Sequence, residues 1–94
     1  MNEIKTKNNL IELIEDYGYE DIIIFSNPDY ADAFVGISDD NRAIYNYNLM
    51  VDHLINKDGL TEEESIDFVN YNTIRAIPYM GKNAPIIMYP LTLE

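Results

Sequence analysis

Cysteine and tryptophan are absent from this chain, and histidine occurs once, at His53. Without cysteine there is no disulfide framework and no thiolate zinc site, so a reducing compartment suits it. Only six residues are basic against seventeen acidic ones, a formal net charge of −11 at pH 7. Six cations are too few to line a nucleic-acid groove, and a domain this negative repels nucleic acid and anionic membrane surfaces. The four glycines stand apart from one another, so there is no glycine-rich loop to cradle a phosphate. No stretch approaches the roughly 18 apolar residues of a membrane span. The first residues, Met1-Asn2-Glu3-Ile4-Lys5-Thr6-Lys7, lead into no apolar run of the kind a signal peptide carries. These exclusions set the expectation of a cytoplasmic protein whose direct partner is neither nucleic acid nor membrane.

What the chain does have is a core. Hydrophobic residues make up 47% of its 94 positions, too many for a disordered acidic tail. This length is one domain, 1–94, with Leu93-Glu94 reading as a cloning remnant. Leu10, Leu13, Ile14 and Tyr17 recur at helical spacing and predict a helix over 8–17, capped by Asn8 or Asn9 and ended by Gly18. Ile22-Ile23-Ile24-Phe25 reads as a strand buried on both faces, broken by Asn27-Pro28-Asp29. Period-2 flanks around Ser38-Asp39-Asp40-Asn41-Arg42 predict a hairpin over 31–47. Met50, Val51, Leu54 and Ile55 mark a second helix over 48–57, with Asn48 as its cap and Asp58-Gly59 as its end. Thr61-Glu62-Glu63-Glu64 is a capping box that starts a third helix with Ile66 and Val69 in its stripe; it ends by Asn72, or runs to Ala76 with Thr73, Ile74 and Ile77 continuing the stripe, because Pro78 forbids more. Ile86 to Tyr89, set between two prolines, predicts an edge strand. The expected fold is α+β: a three- to four-stranded, mostly antiparallel sheet with about three helices packed on one side.

The candidate functional groups follow from the acids and the tyrosines. Asp29, Asp32, Asp39 and Asp40 decorate turns, and Glu62 and Glu63 open the third helix. Rows of carboxylates on a compact surface either serve as solvated caps or occupy a basic surface on another protein. Eight tyrosines exceed what so small a core needs, and tyrosine is enriched at interfaces. Tyr30 and Tyr79, each beside a loop proline, are the two expected to be exposed for a partner. His53 with its neighbour Asp52 is the one candidate metal pair, and zinc would be its metal, completed by carboxylates. The Asp39-Asp40-Asn41 run lacks the ligand spacing and closing Glu of a calcium loop. Ser26 or Ser38 with His53 and an aspartate has the composition of a triad, but such sets arise by chance in any acidic chain. The protein is expected not to be an enzyme, to need no cofactor, and to be a monomer or a weak homodimer paired through the edge strand at 86–89.

Two segments carry a resemblance. Phe34-Val-Gly-Ile-Ser-Asp-Asp-Asn-Arg-Ala-Ile-Tyr-Asn-Tyr47, and the stretch from Thr61-Glu-Glu-Glu-Ser-Ile-Asp-Phe to Ala84-Pro-Ile-Ile-Met-Tyr89, resemble a family of small uncharacterised proteins of low-GC Gram-positive bacteria and their phages. The resemblance implies a phage or prophage origin and a bacterial host cell. Small acidic phage proteins include the anti-CRISPR proteins, so by analogy of class the expected function is inhibition of a host defence nuclease. A Cas9-type effector, whose guide–target channel is positively charged, would be the basic partner. A phage accessory or regulatory protein with another partner is the alternative, and a metal-binding module organised by His53 is the third reading.

Overall fold

The computed structural model describes residues 6–91 and has the expected α+β class. The N-terminal residues 1–5 and the Leu93-Glu94 pair lie outside the described residues. Helix α1 spans Lys7–Asp16, strand β1 Phe34–Ile37 and strand β2 Ala43–Asn46. Helices α2 and α3 span Tyr47–Asp58 and Glu62–Phe68, and strand β3 spans Ile86–Met88.

Local chemistry sets the helix ends. Thr6 Oγ1 accepts the Asn9 amide at 3.2 Å, so the cap of α1 lies ahead of the two asparagines expected there. At its other end Gly18 takes φ +83°, and Gly18 and Tyr19 donate to the carbonyls of Glu15 and Ile14. This bonding pattern satisfies two terminal carbonyls and turns the chain sharply. Helix α2 follows β2 without a loop: Asn46, the last strand residue, caps it by accepting the Leu49 amide at 3.1 Å. Gly59, in the left-handed region, closes it. The capping box of α3 is formed as expected, Thr61 Oγ1 accepting from the Glu64 amide and Glu64 Oε1 accepting from the Thr61 amide. Beyond Phe68 the helix widens into a π turn, Val69–Ile74, before Pro78 sits in a short turn at Ile77–Tyr79.

The sheet is mixed rather than mostly antiparallel, and three-stranded, in the order β1-β2-β3. β1 and β2 form the expected antiparallel hairpin, with Ile37 opposite Ala43 and Phe34 opposite Tyr45. A bulge between Phe34 and Gly36 interrupts the alternation, so Phe34 turns to the core while Val35 stays 48% exposed. β3 lies at the other edge, parallel to β2, with Ile44 opposite Ile86. Parallel neighbours need a long crossover, supplied here by α2, α3 and the π turn.

Ile22 to Phe25 is not a strand. The segment pairs with no strand among the described residues and runs between the two apolar clusters, with Ile22 and Ile24 packing against both. Among the described residues its one long-range backbone hydrogen bond is from the Phe25 amide, which donates to the Tyr45 hydroxyl at 3.3 Å. The apolar run therefore signals burial between layers, not ladder pairing.

The larger cluster is built on aromatic rings. Phe25 meets Tyr45 at 4.7 Å and Tyr30 at 5.5 Å between centroids, and Phe34 stands edge-on to Tyr45. Met50, Val51 and Leu54 of α2 and Val69 of the π turn complete it. A smaller cluster holds Leu10, Ile14 and Ala31. Ser65 is fully buried and its hydroxyl has no hydrogen-bond partner among the described residues. Ser65→Ala removes that unpaired group and should raise stability by about 1 kcal/mol, seen as a higher urea midpoint with an unchanged slope.

Candidate functional site

The folded chain distributes the sequence-predicted residues over four places. Asp29 and Asp32 come together with His53. His53 projects from α2 and is 7% exposed; its Nδ1 lies 2.6 Å from Asp32 Oδ1 and its Nε2 3.8 Å from Asp29 Oδ1. Asp29 is already engaged, accepting the Ala31 amide on Oδ1 and the Lys7 amide on Oδ2. It thus ties the start of α1 to the turn before β1, with His53 filling the space behind. Asp52, one position earlier on α2, is exposed, and the roughly 100° step per helical residue points it elsewhere. The residue paired with His53 is therefore Asp32, not Asp52. Among the described residues no group of three or more His, Cys, Asp or Glu side chains is arranged to hold a metal ion.

Tyr30 is not a surface residue. It is fully buried, its ring lies 5.4 Å from that of His53, and its hydroxyl is 2.6 Å from Thr73 Oγ1. The cause is its backbone: φ is +48°, which turns the side chain inward just past the Asn27-Pro28 pair that suggested exposure. Burial raises the Tyr30 hydroxyl above its ordinary pKa, and burial pushes that of Tyr45 up to about 12. Neither phenol is a contact for a partner.

The other expected contacts are at the surface. Asp39 and Asp40 form the tip of the hairpin. Asp40 accepts from the Ser38 hydroxyl and lies 3.9 Å from Arg42, whose Nε donates to the Ala84 carbonyl at 2.8 Å. That bond pins the hairpin loop to the segment leading into β3. Glu62 and Glu63 are exposed in the first turn of α3. Tyr79, 89% exposed, closes the turn after Pro78. These residues occupy separate elements: the hairpin tip, the first turn of α3 and the turn after Pro78.

One place went unread in the sequence. Where α1 ends, Tyr17 and Tyr19 flank Gly18 and are 75% and 39% exposed, with Glu15, Glu20 and Asp21 beside them. A groove of about 320 Å³ runs from Leu13, Tyr17 and Tyr19 to Phe34, Val35 and Ile37 of β1. A second depression, about 640 Å³, has Ile11, Ile22 and Ile24 in its lining with Glu15, Glu20 and Asp21. Ile14 and Tyr19 line both, so the two adjoin. The local signal was Tyr17-Gly18-Tyr19-Glu20-Asp21, two aromatics and two acids around a helix-ending glycine.

Comparison with protein-family models, curated proteins and solved structures gives no match. No helix among the described residues is long and apolar enough to cross a membrane.

Proposed function

We propose that the protein is a non-enzymatic binding module that occupies a basic surface of another protein. The observation that carries this reading is the disposition of charge. Of the fifteen acidic residues between positions 6 and 91, all but Asp29 are exposed. Of the five basic ones, Lys7 and Arg42 are half-buried, Lys7 bonded at the surface to Ser26 and Arg42 to the Ala84 carbonyl. The surface field is therefore more one-sided than composition alone requires. Such a surface is steered towards a cationic one and discriminates against acidic partners. Exposed Tyr71, Tyr79 and Tyr89 add rings that bury area at low entropic cost.

The finer form of the proposal is a phage-derived inhibitor of a Cas9-type defence nuclease. It rests on the resemblance to small phage proteins and on the positive channel such nucleases hold for nucleic acid. Blocking the loading of nucleic acid would be the mechanism, with the carboxylates standing where phosphates otherwise bind. The test is capture of guide-loaded nuclease by the immobilised protein, with DNA cleavage as the second readout. Capture that weakens as salt rises, together with loss of cleavage, is the expected result. Charge reversal of Asp39 and Asp40 to lysine should reduce capture roughly tenfold without unfolding the domain. No capture at low salt by a folded protein would sink the nuclease reading and leave a phage accessory protein with a different partner.

A further inference from the structure

We infer that the groove between α1 and β1 takes an extended, arginine- or lysine-bearing segment of the partner protein. The inference rests on the reading that the partner is basic, and it assigns where one segment of that partner sits. Three features of the groove specify the occupant.

The first is the strand. β1 pairs with β2 on one side and with no strand on the other among the described residues. All four of its residues line the groove, and Val35 is 48% exposed. An extended segment laid here adds to the sheet edge through main-chain hydrogen bonds, and its alternate side chains point into the groove. The second is the lining beside β1. Leu13, Tyr17, Phe34 and Ile37 offer apolar walls that suit an aliphatic side chain. The third is the adjoining depression, whose lining joins half-buried Ile11, Ile22 and Ile24 to exposed Glu15, Glu20 and Asp21. A lining of half-buried aliphatic side chains and exposed carboxylates matches a side chain that has an aliphatic stem and a cationic head. Arginine fits best, since its planar head forks onto carboxylates and stacks on the ring of Tyr19. An acidic or purely apolar segment would leave these three carboxylates unpaired or repelled.

The test uses the whole protein and a fluorescently labelled peptide of alternating valine and arginine. Binding is read by anisotropy, and its place by amide shifts and by slowed hydrogen exchange. Shifts confined to 11–24 and 34–37, with slowed exchange in β1, are the expected result. Glu15→Lys with Glu20→Lys should weaken the peptide at least roughly tenfold. Both side chains are exposed, and lysine near the end of α1 suits the helix dipole, so the fold should not suffer. Tyr19→Ala should weaken it as well, whereas Asp39→Lys with Asp40→Lys should weaken it less, since neither residue lines the groove. Shifts spread over the hairpin tip and α3, or equal losses from both charge-reversal pairs, would overturn the assignment. The groove and the nuclease reading fail separately. Nuclease captured as well by the Glu15, Glu20 variant as by the wild type overturns the groove alone. Peptide held in the groove without nuclease capture supports the groove and removes that partner.

Discussion

Raising the pH past 10 should cost the domain about 3 kcal/mol of stability through Tyr45 alone. In the unfolded chain the phenol ionises near its ordinary value of 10.0, whereas burial in the native core holds it protonated to about 12. Between those values the unfolded state has lost a proton that the native state keeps. The stability is fully present below 10 and has gone above about 12. Tyr30, also raised by burial, adds to the loss in the same direction. Urea titrations at a series of pH values, with tyrosinate absorbance followed in parallel, measure it. Tyr45→Phe is the control. It should lower stability below pH 10, because the Phe25 amide loses its acceptor, but the slope across the alkaline window should shrink. The carboxylate surface repels itself at any pH above neutrality, so a slope unchanged in that variant would assign the alkaline loss to general charge repulsion instead.

Tyr30→Ala should be close to unfolding, at a cost of about 3–5 kcal/mol. Small domains carry stabilities of roughly 5–15 kcal/mol, so this one change removes much of what there is. The truncation opens a cavity against Phe25 and His53 and leaves Thr73, itself 7% exposed, without its partner. Tyr30→Phe keeps the ring and should cost only about 1–2 kcal/mol, the penalty of the stranded hydroxyl. Circular dichroism melts of the two variants check the pair of values. A Tyr30→Ala protein as stable as the wild type would return the residue to the surface role that its place beside Pro28 suggested. Tyr79→Ala makes the contrast: at 89% exposure it should move the melt by little and affect only partner capture.

The difference between those two tyrosines marks where sequence reading stops. Features fixed within four or five residues were legible. The Thr61 and Glu64 capping box, the glycines that end α1 and α2, and the hairpin around Asp39 and Asp40 all came out as expected. The exposure of Glu62, Glu63 and Tyr79 was legible for the same reason, since caps and turns face water. Contacts between distant positions were not. His53 and Asp32 are 21 residues apart, and nothing in either neighbourhood announces the pairing. Only adjacency in the chain points to Asp52. Ile22 to Phe25 has the composition of a buried strand, yet composition reports burial and not hydrogen-bond partners. The groove at Tyr19 needs α1 and β1 side by side before it exists at all.

The parallel placement of β3 also sets an order of events in folding. The hairpin and α2 are contiguous in the chain and can form early from local contacts. The third strand joins only when a long loop closes: Arg42 meets Ala84 across 42 positions. Closing such a loop costs entropy before any pairing repays it, and topologies with distant pairings fold slowly. Docking of residues 84–88 should therefore be the late step, with α3 and the π turn already in place. Until then the open side of β2 is an unsatisfied strand edge, and the nascent domain is most prone to self-association in that interval.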